Sequence, residues 1–139
     1  MSRRYSRAKL YGADSKWELK LREGILKDLQ YHPCKLDYTK PATQHTYEPD
    51  WSLNMGRKTI YIEAKGRFVD RNEYMKYIYV RDCLKKNEEL VFLFMKPNTP
   101  MPGARRRKDG TIRTHAEWAE KEDFRWFSEQ NINLLIGDK

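Results

Sequence analysis

The chain has 139 residues, a mass of 16.8 kDa and a formal net charge of +8. That length suits one domain, with 39% hydrophobic against 35% charged residues and a mean hydropathy of −0.96, a lean core under a polar surface. Aromatics at 13% argue against general disorder, and no apolar run nears the ~20 residues of a membrane span.

Residues 1–13 read as a basic arm ahead of a single domain over 14–139. The first ten contain Arg3, Arg4, Arg7 and Lys9 and no acid. No apolar stretch follows, so the start is not expected to be a secretory signal. Asp14 or Ser15 can cap a helix through Lys16–Gln30, where Trp17, Leu21, Ile25 and Leu29 recur every fourth residue and Leu26 widens the stripe. Gly24 weakens that helix, and Tyr31-His32-Pro33 ends it. Lys35–Lys40 can form a short strand, and Pro41–Thr46 an extended connector. Tyr47–Leu53 alternates apolar and polar residues, 54–57 reads as a turn, and Lys58–Ala64 is rich in strand formers.

Asp70 can cap a second helix over Arg71–Lys86. Leu90–Met95 is a continuous apolar run, expected as a central strand covered on both faces. Residues 96–113 make a long basic loop, with Lys96, Arg105, Arg106, Arg107, Lys108 and Arg113 against Asp109. Thr114 can cap a third helix to about Lys121, with Glu117 at capping-box spacing. Phe124–Ile136 is ambiguous: FRWF suits an edge strand, and INLLI either type. The order gives an α/β fold, a mixed sheet flanked by helices.

The first ten residues and the 96–114 segment together exceed the whole net charge, leaving the other 110 residues at −1. A nearly neutral body with two basic extensions suits a polyanion such as DNA. For Arg105–Lys108 the plainer reading is a solvated loop. Cys34 and Cys83 read as reduced, partly buried thiols, and form no zinc site with His32, His45 and His115.

The chemistry sits in Pro49-Asp50 and, after twelve intervening residues, Glu63-Ala64-Lys65. On neighbouring strands, Asp50 and Glu63 can project from one region, and Glu63 and Lys65 share a face. Two carboxylates and an ammonium there suit a hard divalent cation such as Mg²⁺, with the Ala64 carbonyl as a further ligand. Lys65 would orient water or neutralise phosphate. The competing reading is a cross-strand ion pair on a solvated face. E-x-K alone is weak evidence, since Glu18-Leu19-Lys20 also matches.

SKWELKLREGIL, QHTYEPDW, IYIEAKGRF, LVFLF and THAEWAEK together resemble the phage endonuclease I family of Holliday-junction resolvases, within the PD…E-x-K nuclease class. The likeness runs from about Ser15 to Lys121 and is poor in the arm and the last fifteen residues. It implies a PD…E-x-K core and four active-site residues, Glu18, Asp50, Glu63 and Lys65. Of these, Glu18, Asp50 and Glu63, with Ala64, would hold Mg²⁺, or Mn²⁺ in its place. From the residues alone, Glu18 reads as an exposed helix glutamate. The resemblance further implies a domain-swapped homodimer exchanging 14–40, metal-assisted hydrolysis of four-way junctions and other branched DNA that leaves a 5′-phosphate, and a phage protein acting in the host cytoplasm. DNA contacts are expected from Arg3, Arg4, Arg7, Lys9, Arg67, Arg71, Lys76 and Arg105–Lys108, with Arg81 a further candidate. The 96–113 loop is longer and more basic than the family pattern, which leaves substrate range open. A sequence-specific or transposon-end nuclease of the same class and a non-catalytic basic DNA-binding module are the alternatives.

Overall fold

The computed structural model describes residues 16–40 and 43–137; the arm with Arg3, Arg4, Arg7 and Lys9 lies outside the described residues. Among the described residues, eleven elements follow in chain order: α1 (Lys16–Glu23), β1 (Gln30–Tyr31), β2 (Leu36–Lys40), β3 (Thr43–Tyr47), β4 (Trp51–Met55), β5 (Lys58–Lys65), α2 (Arg71–Cys83), β6 (Glu88–Phe94), α3 (His115–Lys121), β7 (Trp126–Phe127) and α4 (Asn133–Ile136). The expected α/β architecture is present. One sheet runs β1-β4-β5-β6-β7, with β1, β4 and β5 antiparallel in turn and β5, β6 and β7 parallel. β2 and β3 form a separate antiparallel pair.

The long run of β-branched and aromatic residues places β5 and β6 at the centre, where both faces are covered. Alternation splits the core into two layers. Ile60, Ile62 and Ala64 of β5 and Val91 and Leu93 of β6 join Leu21, Leu26, Trp51, Ile132 and Leu135 on an aliphatic face. Tyr61 of β5 and Leu90, Phe92 and Phe94 of β6 join Tyr47, Phe68, Tyr77 and Trp118 on an aromatic face. Glu63 and Lys65 share the parity of Tyr61, so they stand on the aromatic side under α2.

Several expectations need correction. The first helix stops at Glu23 rather than Gln30, and turns follow. Gly24 is the reason: it is a poor helix residue, and past it the Leu26 N–H reaches back to the Leu21 carbonyl at 3.0 Å. That closure buries Leu26 and leaves Ile25, expected in the apolar stripe, exposed. Released from the helix, Gln30 and Tyr31 pair with Ser52 and Trp51 as β1. Tyr47–Leu53 is not one strand. Tyr47 ends β3, and Trp51 begins β4 in the other sheet. Pro41–Thr46 is not an extended connector throughout, because Thr43–Tyr47 pairs back on Leu36–Lys40. Cys83 is exposed rather than partly buried, and both cysteines are thiols outside any disulfide.

Elsewhere local chemistry sets the element starts as read, although the second helix ends at Cys83 rather than Lys86, where Leu84 turns extended and its N–H closes on the Arg81 carbonyl. Asp70 caps α2, accepting from the Glu73 N–H at 2.9 Å. Thr114 and Glu117 form the full capping box of α3. Gly56, at φ 67, makes the tight β4–β5 turn that a side chain would strain. Trp126–Phe127 is the edge strand, and Asn133–Ile136 is helical. The basic loop is partly ordered: Arg106 bridges Ile112, and Arg106 Nη1 donates to the Gly110 carbonyl at 2.6 Å. Arg107 pairs with Glu117 at 3.1 Å. The result is a short basic finger projecting from the start of α3.

Candidate active site

Strand register builds the site. Tyr31 pairs with Trp51, and Trp51 with Ile62. One step along these antiparallel strands, His32, Asp50 and Glu63 fall in a single row across β1, β4 and β5. The row is held by the backbone, with the His32 N–H donating to the Asp50 carbonyl at 2.7 Å. The Asp50 carboxylate is pinned as well, since its Oδ2 accepts the Ala64 N–H at 3.0 Å. Asp50 therefore sits where the two layers of the core meet.

On the aliphatic side, α1 brings Glu18 to the row. Glu18 is 4% exposed, not the solvated helix residue its sequence context suggests. Its Oε2 accepts from the Tyr31 hydroxyl at 2.6 Å and lies 3.9 Å from His32 Nε2. The same Nε2 is 4.0 Å from Asp50 Oδ1. One ligand atom from each of Glu18, His32 and Asp50 falls within 4.8 Å of the others.

On the aromatic side, Glu63 Oε1 accepts from the Tyr47 hydroxyl, and Oε2 accepts from the Tyr77 hydroxyl at 3.1 Å. Burial, and then the charge of Glu63, push both phenols well up, so each stays a neutral donor. Lys65 Nζ lies 3.6 Å from Glu63 Oε2 and 2.9 Å from Glu73 Oε2. Burial alone would lower its ammonium. The carboxylates of Glu63 and Glu73 outweigh that and hold it well above its ordinary value, so Lys65 stays charged.

Glu18, Asp50 and Glu63 are all buried, at 4%, 5% and 6% exposed. Burial, then the charges of Glu63 and Glu18, push the Asp50 carboxyl well above the usual carboxylate range. Such a concentration of buried acid is what a bound cation would offset. The donor set, two carboxylate oxygens and an imidazole nitrogen within 4.8 Å of one another, fits a divalent ion.

Glu18, Asp50, Glu63 and Lys65 are thus brought to one end of the sheet. The carboxylates do not all converge on one point, however. Glu63 is engaged by the two tyrosines and Lys65, while His32 completes the trio with Glu18 and Asp50. Ala64 meets Asp50 through its N–H. Sequence reasoning passes over His32, Tyr31, Tyr77 and Glu73 as members of the site. The spacing of Asp70 and Glu73 is a signal for the last, although Glu73 Oε1 accepts from the Val69 N–H rather than from the cap residue. Among the expected DNA contacts, Arg67, Arg71 and Arg105–Lys108 all lie toward solvent. Lys76 is half-buried, its ammonium over the Tyr47 and Tyr77 rings. Arg81 is a packing residue, donating to the Glu122 carbonyl and lying over Phe124.

Fold and site together define a mixed α/β protein with an acidic, lysine-containing centre at the end of its sheet. The family model for phage endonuclease I matches residues 4–133, and the chain belongs to that family. It is accordingly a nuclease, and the match takes in most of the arm and tail that look dissimilar by motif. No match to the chain is found among curated proteins. No helix among the described residues is long and apolar enough to cross a membrane.

The raised Asp50 carboxyl gives a prediction for metal-free protein. An unfolded chain ionises this group near the ordinary ~3.9, while the fold resists ionisation. The fold therefore loses stability from this group as pH rises above about 4, until Asp50 itself ionises. Asp50→Asn should raise the melting temperature in EDTA at pH 7, with the gain shrinking toward pH 4. Equal melting of the two proteins at every pH would contradict the assignment.

Proposed function

We propose that this nuclease is a divalent-metal-dependent endonuclease that hydrolyses phosphodiesters in four-way junctions and other branched DNA. The observation that carries the reading is the burial of Glu18 and Asp50 side by side, with Glu63 and Lys65 one strand away. Asp50 and Glu18 would hold Mg²⁺ or Mn²⁺, with the Ala64 carbonyl as a further ligand and Glu63, engaged by Tyr47, Tyr77 and Lys65, one strand away. A cation there lowers the pKa of water and offsets charge building on the phosphate in the transition state. Lys65, kept charged by its neighbours, neutralises a phosphate oxygen or orients the attacking water. Tyr47 and Tyr77 fix the Glu63 carboxylate against rotation, and Tyr31 does the same for Glu18. Hydrolysis leaves a 5′-phosphate at the nick.

A synthetic four-way junction with Mg²⁺ is the test. Wild type should cut it, and Glu63→Gln should cut roughly 10²-fold or more slowly while still binding it. A folded wild type inert with both Mg²⁺ and Mn²⁺ would defeat the proposal. Cutting of linear duplex at a fixed sequence, with junctions ignored, would replace it by a sequence-specific nuclease.

The basic finger supplies phosphate contacts. Arg106 and Arg107 are held within it, so Arg105 and Lys108 are the cations placed to reach outward. Replacing both by alanine should weaken junction binding and lower the log–log salt slope by about 0.9 for each phosphate that is no longer neutralised. An unchanged slope would make the finger a bystander.

The working form is a homodimer exchanging 14–40. Everything from α1 to β2 precedes the β2–β3 connection at 41–42, so an exchange there moves Glu18 as one unit with Leu21 and Leu26. Glu18 of one chain would then face Asp50, Glu63 and Lys65 of the other. Two symmetric sites suit a substrate that must be nicked on two strands. Light scattering should give twice 16.8 kDa; the single-chain mass would remove the exchange and leave the chemistry intact.

A further inference from the structure

We propose that His32 is a nitrogen ligand to the divalent cation at Glu18 and Asp50, and that it tilts this site toward first-row transition ions and away from Mg²⁺. The inference rests on the metal-dependent reading above and adds to it a ligand of a different chemical kind.

Three observations carry it. The first is position. His32 Nε2 is nearly equidistant from two buried carboxylate oxygens, 3.9 Å from Glu18 Oε2 and 4.0 Å from Asp50 Oδ1. Ligands that share an ion at ~2.1 Å stand roughly 3–4.2 Å from each other, so both separations are those of co-ligands. They are too long for hydrogen bonds. The second is orientation. The other ring nitrogen, Nδ1, lies 3.6 Å from Glu48 Oε1, and the ring packs on Tyr31 with centroids 4.0 Å apart. With Glu48 beside Nδ1, the nitrogen turned toward the two buried acids is Nε2. The third is backbone. His32 has φ 49, in the left-handed region that non-glycine residues seldom occupy, and its N–H is tied to the Asp50 carbonyl at 2.7 Å. The chain spends conformational energy to turn this side chain toward the acids.

Chemistry then sets the preference. Mg²⁺ takes oxygen ligands and keeps much of its water. Imidazole suits the softer first-row ions. A site with two carboxylates and one imidazole should discriminate between them, whereas carboxylates and a backbone carbonyl alone would do so less.

The experiment uses full-length protein loaded with Mn²⁺ and read by electron spin-echo modulation, which detects a directly bonded nitrogen without any turnover. Wild type should show nitrogen coupling that changes on labelling with [¹⁵N]histidine and vanishes in His32→Asn. Asparagine tolerates positive φ, so this variant keeps the backbone; His32→Gly serves as a second. By calorimetry, both variants should lose Mn²⁺ affinity by about tenfold or more and Mg²⁺ affinity by much less. Mn²⁺ that binds wild type, is lost in Asp50→Asn, and shows no nitrogen coupling would overturn the inference and leave the metal-dependent reading standing. An unchanged Mn²⁺ to Mg²⁺ affinity ratio in the variants would overturn it equally. If wild type binds neither ion, both fall together.

Discussion

Asp50 is tied to its sheet at two points, and the site depends on that double attachment. Its carbonyl accepts from His32 and its carboxylate from Ala64, so neither backbone nor side chain can drift from the row shared by β1, β4 and β5. One carboxylate is thereby placed between two chemically distinct neighbourhoods. Toward the aliphatic layer it meets Glu18 and His32. Toward the aromatic layer lie Glu63, Lys65 and two phenols. Packing alone does not favour such a concentration of buried acid, and each hydroxyl or ammonium on the aromatic side compensates part of it.

The two layers contribute differently. The aromatic side is largely saturated, with Glu63 accepting from Tyr47 and Tyr77 and Lys65 shared between Glu63 and Glu73. Its members hold one another in fixed orientation. On the aliphatic side the imidazole stands about 4 Å from both acids, the spacing of groups that can share an ion. Fixed orientation and capacity for a cation thus lie on opposite sides of one strand. An ion held on the aliphatic side would leave the hydrogen bonds of the aromatic side in place.

Much of this is legible in the chain. The caps at Asp70 and Thr114, the central run at Leu90 and the turn at Gly56 each depend on chemistry within a few residues, and the structure has each of them in place. Asp50, Glu63 and Lys65 stand out because strand parity and hairpin register are local too. What escapes depends on partners distant in sequence. Gln30–Tyr31 is two residues long and pairs only because Trp51 is there, so nothing nearby announces a strand. Without β1, the row containing His32 cannot be drawn, and the residue passes for a helix terminator beside proline. Glu18 reads as a solvated helix residue because the groups that enclose it, Tyr31, His32 and Asp50, lie beyond its own helix. Tyr77 lies in a helix whose apolar face is mixed, where a phenol aimed at an acid looks like any other packing residue.

Glu117 has two oxygens with two separate duties. One accepts from Thr114 and closes the start of α3; the other receives Arg107 of the basic finger. A polyanion that draws Arg107 away takes over only the second duty, and the first persists unaltered. The finger can exchange an internal counterion for an external one while the helix beneath it keeps its cap, so docking at the tip is insulated from the stability of the body.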